Sequence, residues 1–184
     1  MAEAKLVELG YKLPVMPTPL ASYIPCVRSG NLVFLSGHVP FKEDMKSLHQ
    51  GKVGLNQAYT TEEAATLAKL IGLELLATLK GAVGDLDKVK RIVKIVGFVN
   101  CPDDFTEQPE VINGCSQLLG EVFGKEIGSH ARSAVGTNSL PRQVPVEIEL
   151  IAEVEDVGLL GRFPVAMGAA AAMAVVAAVA MLRR

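Results

Sequence analysis

Residues 144–154 read VPVEIELIAEV, in which apolar side chains and carboxylates alternate. Successive side chains of a strand point to opposite faces, so this segment belongs in a sheet with one face buried and the other open. Such a sheet needs a covering layer, and two segments can supply it. Ala64, Leu67, Ala68, Ile71, Leu75 and Leu79 recur at intervals of three or four, as do Val111, Ile112, Cys115, Leu118, Leu119, Val122 and Phe123, so each set lines one face of a helix. Thr60 and Glu63 are spaced as a capping box at the start of the first, which Gly81 and Gly84 bring to an end. Pro109 suits the first turn of the second, and Gly124 its stop.

Residues 23–36, YIPCVRSGNLVFLS, place two apolar runs around Ser29-Gly30-Asn31 and predict a β-hairpin. Residues 89–100 are rich in β-branched side chains and predict a strand, its beginning open to finishing a helical turn instead, and residues 131–135 read as a short apolar segment. Between hairpin and first helix, residues 42–56 are polar with Gly51 and Gly54 among them, which predicts an exposed, irregular loop. The element order predicts one α+β domain over residues 1–156, a sheet with two long helices packed on one face.

Lys and Arg total 18 against 20 Asp and Glu, too even a balance to neutralise a phosphate backbone, so nucleic acid is not an expected partner. Cys26, Cys101 and Cys115 are too few and scattered for a disulfide framework or a zinc site, which favours a reducing compartment. His38, His49 and His130 lack the spacing that sets two ligands on one helical face; no metal or other cofactor is expected. The N-terminal MAEAKLVELG has neither the apolar run of a secretory signal nor the arginines of a transit peptide, so synthesis in the cytosol is expected.

After a short linker, residues 157–162, the composition changes. Residues 165–182 carry no charge and include nine alanines, with Arg162 before them and Arg183-Arg184 after. As a helix at about 1.5 Å per residue they would span roughly 27 Å, near the thickness of a thin bilayer's hydrocarbon layer. A C-terminal hydrophobic helix over residues 163–184 is therefore expected, either anchoring a cytosol-facing domain to an intracellular membrane or forming an Ala-rich helix docked on protein or exposed as a weak interfacial segment.

Three strings carry a family resemblance. His130-Ala-Arg-Ser-Ala-Val135 is followed by Leu140-Pro-Arg-Gln-Val-Pro-Val-Glu-Ile-Glu149; Leu35-Ser-Gly-His-Val-Pro40 forms a Ser-Gly-x-x-Pro segment; and Tyr23 precedes Ser36 at the interval of a pocket tyrosine. Together they resemble the RidA/YjgF (reactive intermediate deaminase) family across roughly residues 19–154. The resemblance implies a chorismate-mutase-like mixed sheet and a homotrimer with ligand clefts between subunits. It also implies action on reactive imines and enamines, as in 2-iminobutanoate/2-iminopropanoate deaminases. In that setting Arg132 would hold the carboxylate of a small metabolite, and Glu147, fifteen residues on, would activate water and return a proton to nitrogen. Ser36, Gly37 and Tyr23 would shape the pocket.

Each residue also has an ordinary reading. Arg132 fits a surface ion pair, Glu147 and Glu149 the solvent face of a strand, Tyr23 a partly buried aromatic, and Ser36-Gly37 a tight strand exit. His38 and His130 read as polar rim or core residues. Ala134 stands where many deaminases of the family have a cysteine, so a non-catalytic carboxylate-binding sensor or scaffold stays open beside the enzyme, with an endoribonuclease the least favoured.

Overall fold

The computed structural model describes residues 1–16 and 22–156. In chain order the elements are α1 (Ala2–Glu8), β1 (Cys26–Ser29), β2 (Leu32–His38), α2 (Thr61–Val83), β3 (Val89–Asn100), α3 (Gln108–Gly128), β4 (Ala131–Thr137) and β5 (Val146–Val154). Residues 163–184, expected to form an apolar helix, lie outside the described residues. Among the described residues no helix is long and apolar enough to cross a membrane.

The five strands form one sheet in the order β1-β2-β5-β3-β4. Only β3 and β4 run parallel, joined by the α3 crossover; the other pairs are antiparallel, which makes the sheet mixed. On β5 the expected alternation is realised: Val146, Ile148, Leu150, Ala152 and Val154 are buried, with Glu147, Glu149, Ile151 and Glu153 on the opposite face. Both long helices cover the inward face. They cross closely enough that a Cβ on Gly114 of α3 would collide with the Ala65 carbonyl of α2. Gly97 of β3 likewise leaves room for the Ile112 side chain of α3.

Local signals were followed closely. The capping box is present, with Glu63 N–H donating to Thr60 Oγ1 and Thr60 N–H to the Glu63 carboxylate. Gly30 at φ 62° makes the hairpin turn and Gly84 at φ 80° caps α2. At Gly124, φ 74° breaks the helical geometry, yet a further turn carries α3 on to Gly128.

Two features depart from expectation. Helix α1, too short to be stable alone, forms by docking: Ala2 and Leu6 are buried, and the Glu3 carboxylate accepts from Lys80 Nζ (2.7 Å) and Leu86 N–H (3.1 Å). The 42–56 loop is irregular, as predicted, but its second half is pinned down. Val53 is fully buried and its N–H donates to the Asn100 carbonyl (2.9 Å), while Lys52 Nζ donates to the carbonyls of Asn138 (2.7 Å) and Cys101 (3.2 Å). Carbonyls left over at strand ends take donors from this loop, those of Asn100 and Cys101 within buried residues.

Candidate functional site

The open face of the sheet carries Glu147. It pairs across the sheet with Phe98, which in turn pairs with Val135. At the other flank, register slips between Leu35 and His38 of β2, and this bulge brings the Gly37 backbone under the Glu147 side chain. A Cβ on Gly37 would overlap the Glu147 carboxyl group. Half-buried there, with the Glu149 charge on the same face, Glu147 has its pKa raised above the ordinary carboxylate range, first by burial and then by that neighbour. Such a group suits proton transfer near neutral pH better than an exposed glutamate would.

Ser36 is committed to its neighbours: its hydroxyl donates to the Ile24 carbonyl (2.8 Å) and its N–H to that of Pro25 (2.9 Å). It thereby fastens the segment bearing Tyr23, which is 53% exposed and bonds to no other described residue. Ser36 also borders a shallow depression of about 270 Å³ on the open face, with Val27, Phe34, Lys94, Val96 and Glu149.

Behind this segment lies a buried polar cluster. His38 Nδ1 faces the Ser36 carbonyl at 2.7 Å; since a carbonyl only accepts, Nδ1 carries the proton and Nε2 accepts from the Thr78 hydroxyl (2.7 Å). Burial lowers the His38 pKa, which keeps the ring neutral. One turn earlier on α2, Glu74 is fully buried and accepts from Phe41 N–H (3.0 Å) through one oxygen; the other has no partner among the described residues. Burial pushes its pKa up to about 8, so the group is mostly protonated at neutral pH.

Arg132 sits elsewhere. It pairs with the core residue Ile95 at the edge strand β4 and turns its guanidinium toward α3, where Nη1 donates to Asn113 Oδ1 (2.8 Å) and Ser116 Oγ (3.1 Å). No carboxylate lies within ion-pair distance of it among the described residues, so it is not tied up in a surface ion pair. Ile95 faces the helices and Glu147 the open side, which puts Arg132 and Glu147 on opposite faces of one protomer's sheet. The fold brings Glu147, Gly37, Ser36 and Tyr23 toward one flank but leaves Arg132 apart from them.

Burial pushes the Cys115 thiol up to about 12 and raises that of Cys26. Among the described residues no group of three His, Cys, Asp or Glu gathers to hold a metal. Residues passed over in the sequence are the supporting ones: Asn113 and Ser116 beside Arg132, where they join His130, and Glu74 and Thr78 behind Gly37. The available signal was a polar side chain inside a helical segment otherwise given to packing.

Known proteins resemble this chain over nearly the whole described domain. Residues 3–154 match the family model described as "YjgF/chorismate_mutase-like, putative endoribonuclease". Protein TCP17 of Trypanosoma cruzi is 40% identical over 153 residues, 83% of this chain and 94% of that protein. A 2-iminobutanoate/2-iminopropanoate deaminase of Dermatophagoides farinae is 28% identical, over 77% and 93%. The crystal structure of Atu1372 from Agrobacterium tumefaciens, a protein of unknown function, superposes with a TM-score of 0.75 at 41% identity, over 84% of this chain and 92% of that one. The match to the family model, the relatives and the shared fold together establish that the chain belongs to the YjgF/RidA family.

Proposed function

We propose that this protein hydrolyses 2-imino acids to 2-oxo acids and ammonia in clefts between copies of the chain. The observation that carries the reading is Glu147 resting on Gly37 with its pKa raised, a carboxyl group placed and tuned to exchange a proton with water. Its deaminase relative from Dermatophagoides farinae points to the same chemistry. Glu147 takes a proton from water as the oxygen bonds to the imine carbon and the C=N pair moves to nitrogen, and returns that proton to nitrogen to give the carbinolamine; it then relays the hydroxyl proton to nitrogen, and as the carbonyl forms the C–N bond breaks and ammonia leaves. Arg132, with no carboxylate partner among the described residues, holds the substrate's carboxylate.

Since Arg132 and Glu147 lie on opposite faces, one protomer does not form the site by itself. A homotrimer, in which Arg132 of one protomer meets Glu147 of another, fits the apolar groups on the open face: Val27 is 53%, Phe34 39% and Val135 44% exposed. Imino acids generated by an amino-acid oxidase supply the test. The purified protein should accelerate ammonia release, Arg132→Ala and Glu147→Gln should abolish the acceleration, and the native mass in solution should be three times that of the chain. No acceleration by the native protein rejects the reading.

Ala134 favours a second reading, in which the cleft binds a small carboxylated metabolite without turning it over. Retention of such a ligand, dependent on Arg132 and without ammonia release, is the result that would select it.

A further inference from the structure

Arg132 is held by a directional chain of hydrogen bonds that ends on the backbone. His130 Nδ1 lies 2.7 Å from the Gly128 carbonyl, which can only accept, so Nδ1 carries the ring proton of the neutral imidazole. Nε2 is then a bare acceptor, and Ser116 Oγ, 3.1 Å away, donates to it. With its proton committed, the Ser116 oxygen is left to accept, and Arg132 Nη1 donates to it at 3.1 Å. The second Nη1 hydrogen goes to Asn113 Oδ1 at 2.8 Å. Asn113 and Ser116 are three residues apart on α3 and so share one face of that helix.

Both hydrogens of Nη1 are thus spent on neutral partners. Among the described residues nothing accepts from Nε or Nη2. Those two nitrogens form the edge of the guanidinium whose parallel N–H groups match the two oxygens of a carboxylate. Clamping one end of the group fixes the direction of that edge and removes rotamer entropy that binding would otherwise have to freeze.

We propose that Ser116 and His130 are positioning residues for Arg132, which set the affinity of the site for a carboxylate by presenting the Nε–Nη2 edge for bidentate contact. This rests on the reading that Arg132 binds the substrate's carboxylate. The chain works only with the His130 proton on Nδ1. Protonation of the second nitrogen turns Nε2 into a donor competing for the same serine oxygen and sets a positive charge near the guanidinium.

The test uses the full-length protein in three measurements: kcat and KM for 2-imino acid hydrolysis, Kd for 2-oxobutanoate as an unreactive carboxylate, and the nitrogen-15 NMR signature of the His130 tautomer. Ser116→Ala and His130→Phe should each raise KM and Kd about tenfold with kcat nearly unchanged, the loss expected of one hydrogen bond to a charged group. Ser116→Thr, which keeps the hydroxyl, should restore both constants. The native protein should show a protonated Nδ1 and a bare Nε2. If Arg132→Ala weakens binding while Ser116→Ala and His130→Phe do not, the positioning role is overturned and the site reading stands. If Arg132→Ala leaves Kd unchanged, the site reading itself has failed and the proposal with it. An Nε2-protonated ring in the native protein overturns the proposal even where the variants fail to fold.

Discussion

Glu147 occupies the space that a β carbon on Gly37 would take, so the bulge in β2 and the middle of β5 meet through a carboxyl group and a bare backbone. Gly37→Ala must push that carboxyl group aside. A displacement of about 1 Å at a reacting group costs on the order of a hundredfold in rate. The variant should therefore lose about that factor in kcat/KM for imine hydrolysis while its thermal unfolding changes little, because the displaced atoms are the far end of a flexible side chain. Activity close to native would remove Glu147 from the chemistry.

Glu149 lies two residues along the same face, and its charge is the second cause, after burial, of the raised Glu147 pKa. As the base, Glu147 must be ionised, so activity falls as pH drops through its folded-state value. Glu149→Gln removes a repelling charge and should move the acid limb of the kcat/KM profile to lower pH. An acid limb that stays in place would mean that another group controls it.

Glu74, buried on α2, titrates near 8 in the folded protein and near 4.5 unfolded. Between these values the unfolded chain has released a proton that the folded chain keeps, so stability falls as pH rises through that window. Gln mimics the protonated acid. Glu74→Gln should match the native protein near pH 5 and exceed it by on the order of 3 kcal/mol near pH 8. Urea unfolding at the two pH values measures this. Equal losses in both proteins between pH 6.5 and 8 would show that Glu74 ionises freely. As pH falls below about 6.5, His38, its pKa lowered by burial, adds a loss of stability of the opposite slope.

Gly114 lets α3 lie against the α2 backbone. Gly114→Ala would ordinarily gain helix propensity worth about 1 kcal/mol. Here the new methyl group meets the Ala65 carbonyl, part of a rigid helix that cannot turn away, and overpacking of that kind costs roughly 1–3 kcal/mol or more. The net should be a loss, read as a lower melting temperature. Gly81→Ala on the same helix layer, with open space around its would-be Cβ, is the control and should not destabilise.

What could be read from the sequence was local or periodic. The Thr60–Glu63 box spans three residues, and the β5 alternation declares its own buried face, so both were found without knowledge of the rest. Helix α1 was missed because Glu3 finds its partners, Lys80 and Leu86, some eighty residues away. The family strings pointed to Arg132 and Glu147 but carried nothing about which face each occupies, since that follows from strand register across β4, β3 and β5. His130 seemed to lack a companion for the same reason: Ser116 meets it only because α3 runs back alongside β4.

The strand order also bears on how the chain reaches this state. The last strand is not an edge but the seam, with β2 on one side and β3 on the other. During synthesis the β1-β2 hairpin and the β3-α3-β4 unit emerge with no backbone pairing between them, each showing an unfilled row of amides and carbonyls. Both wait for residues 146–154 to leave the ribosome, so a transcript cut short before that point yields two unjoined halves prone to pair with the wrong neighbour.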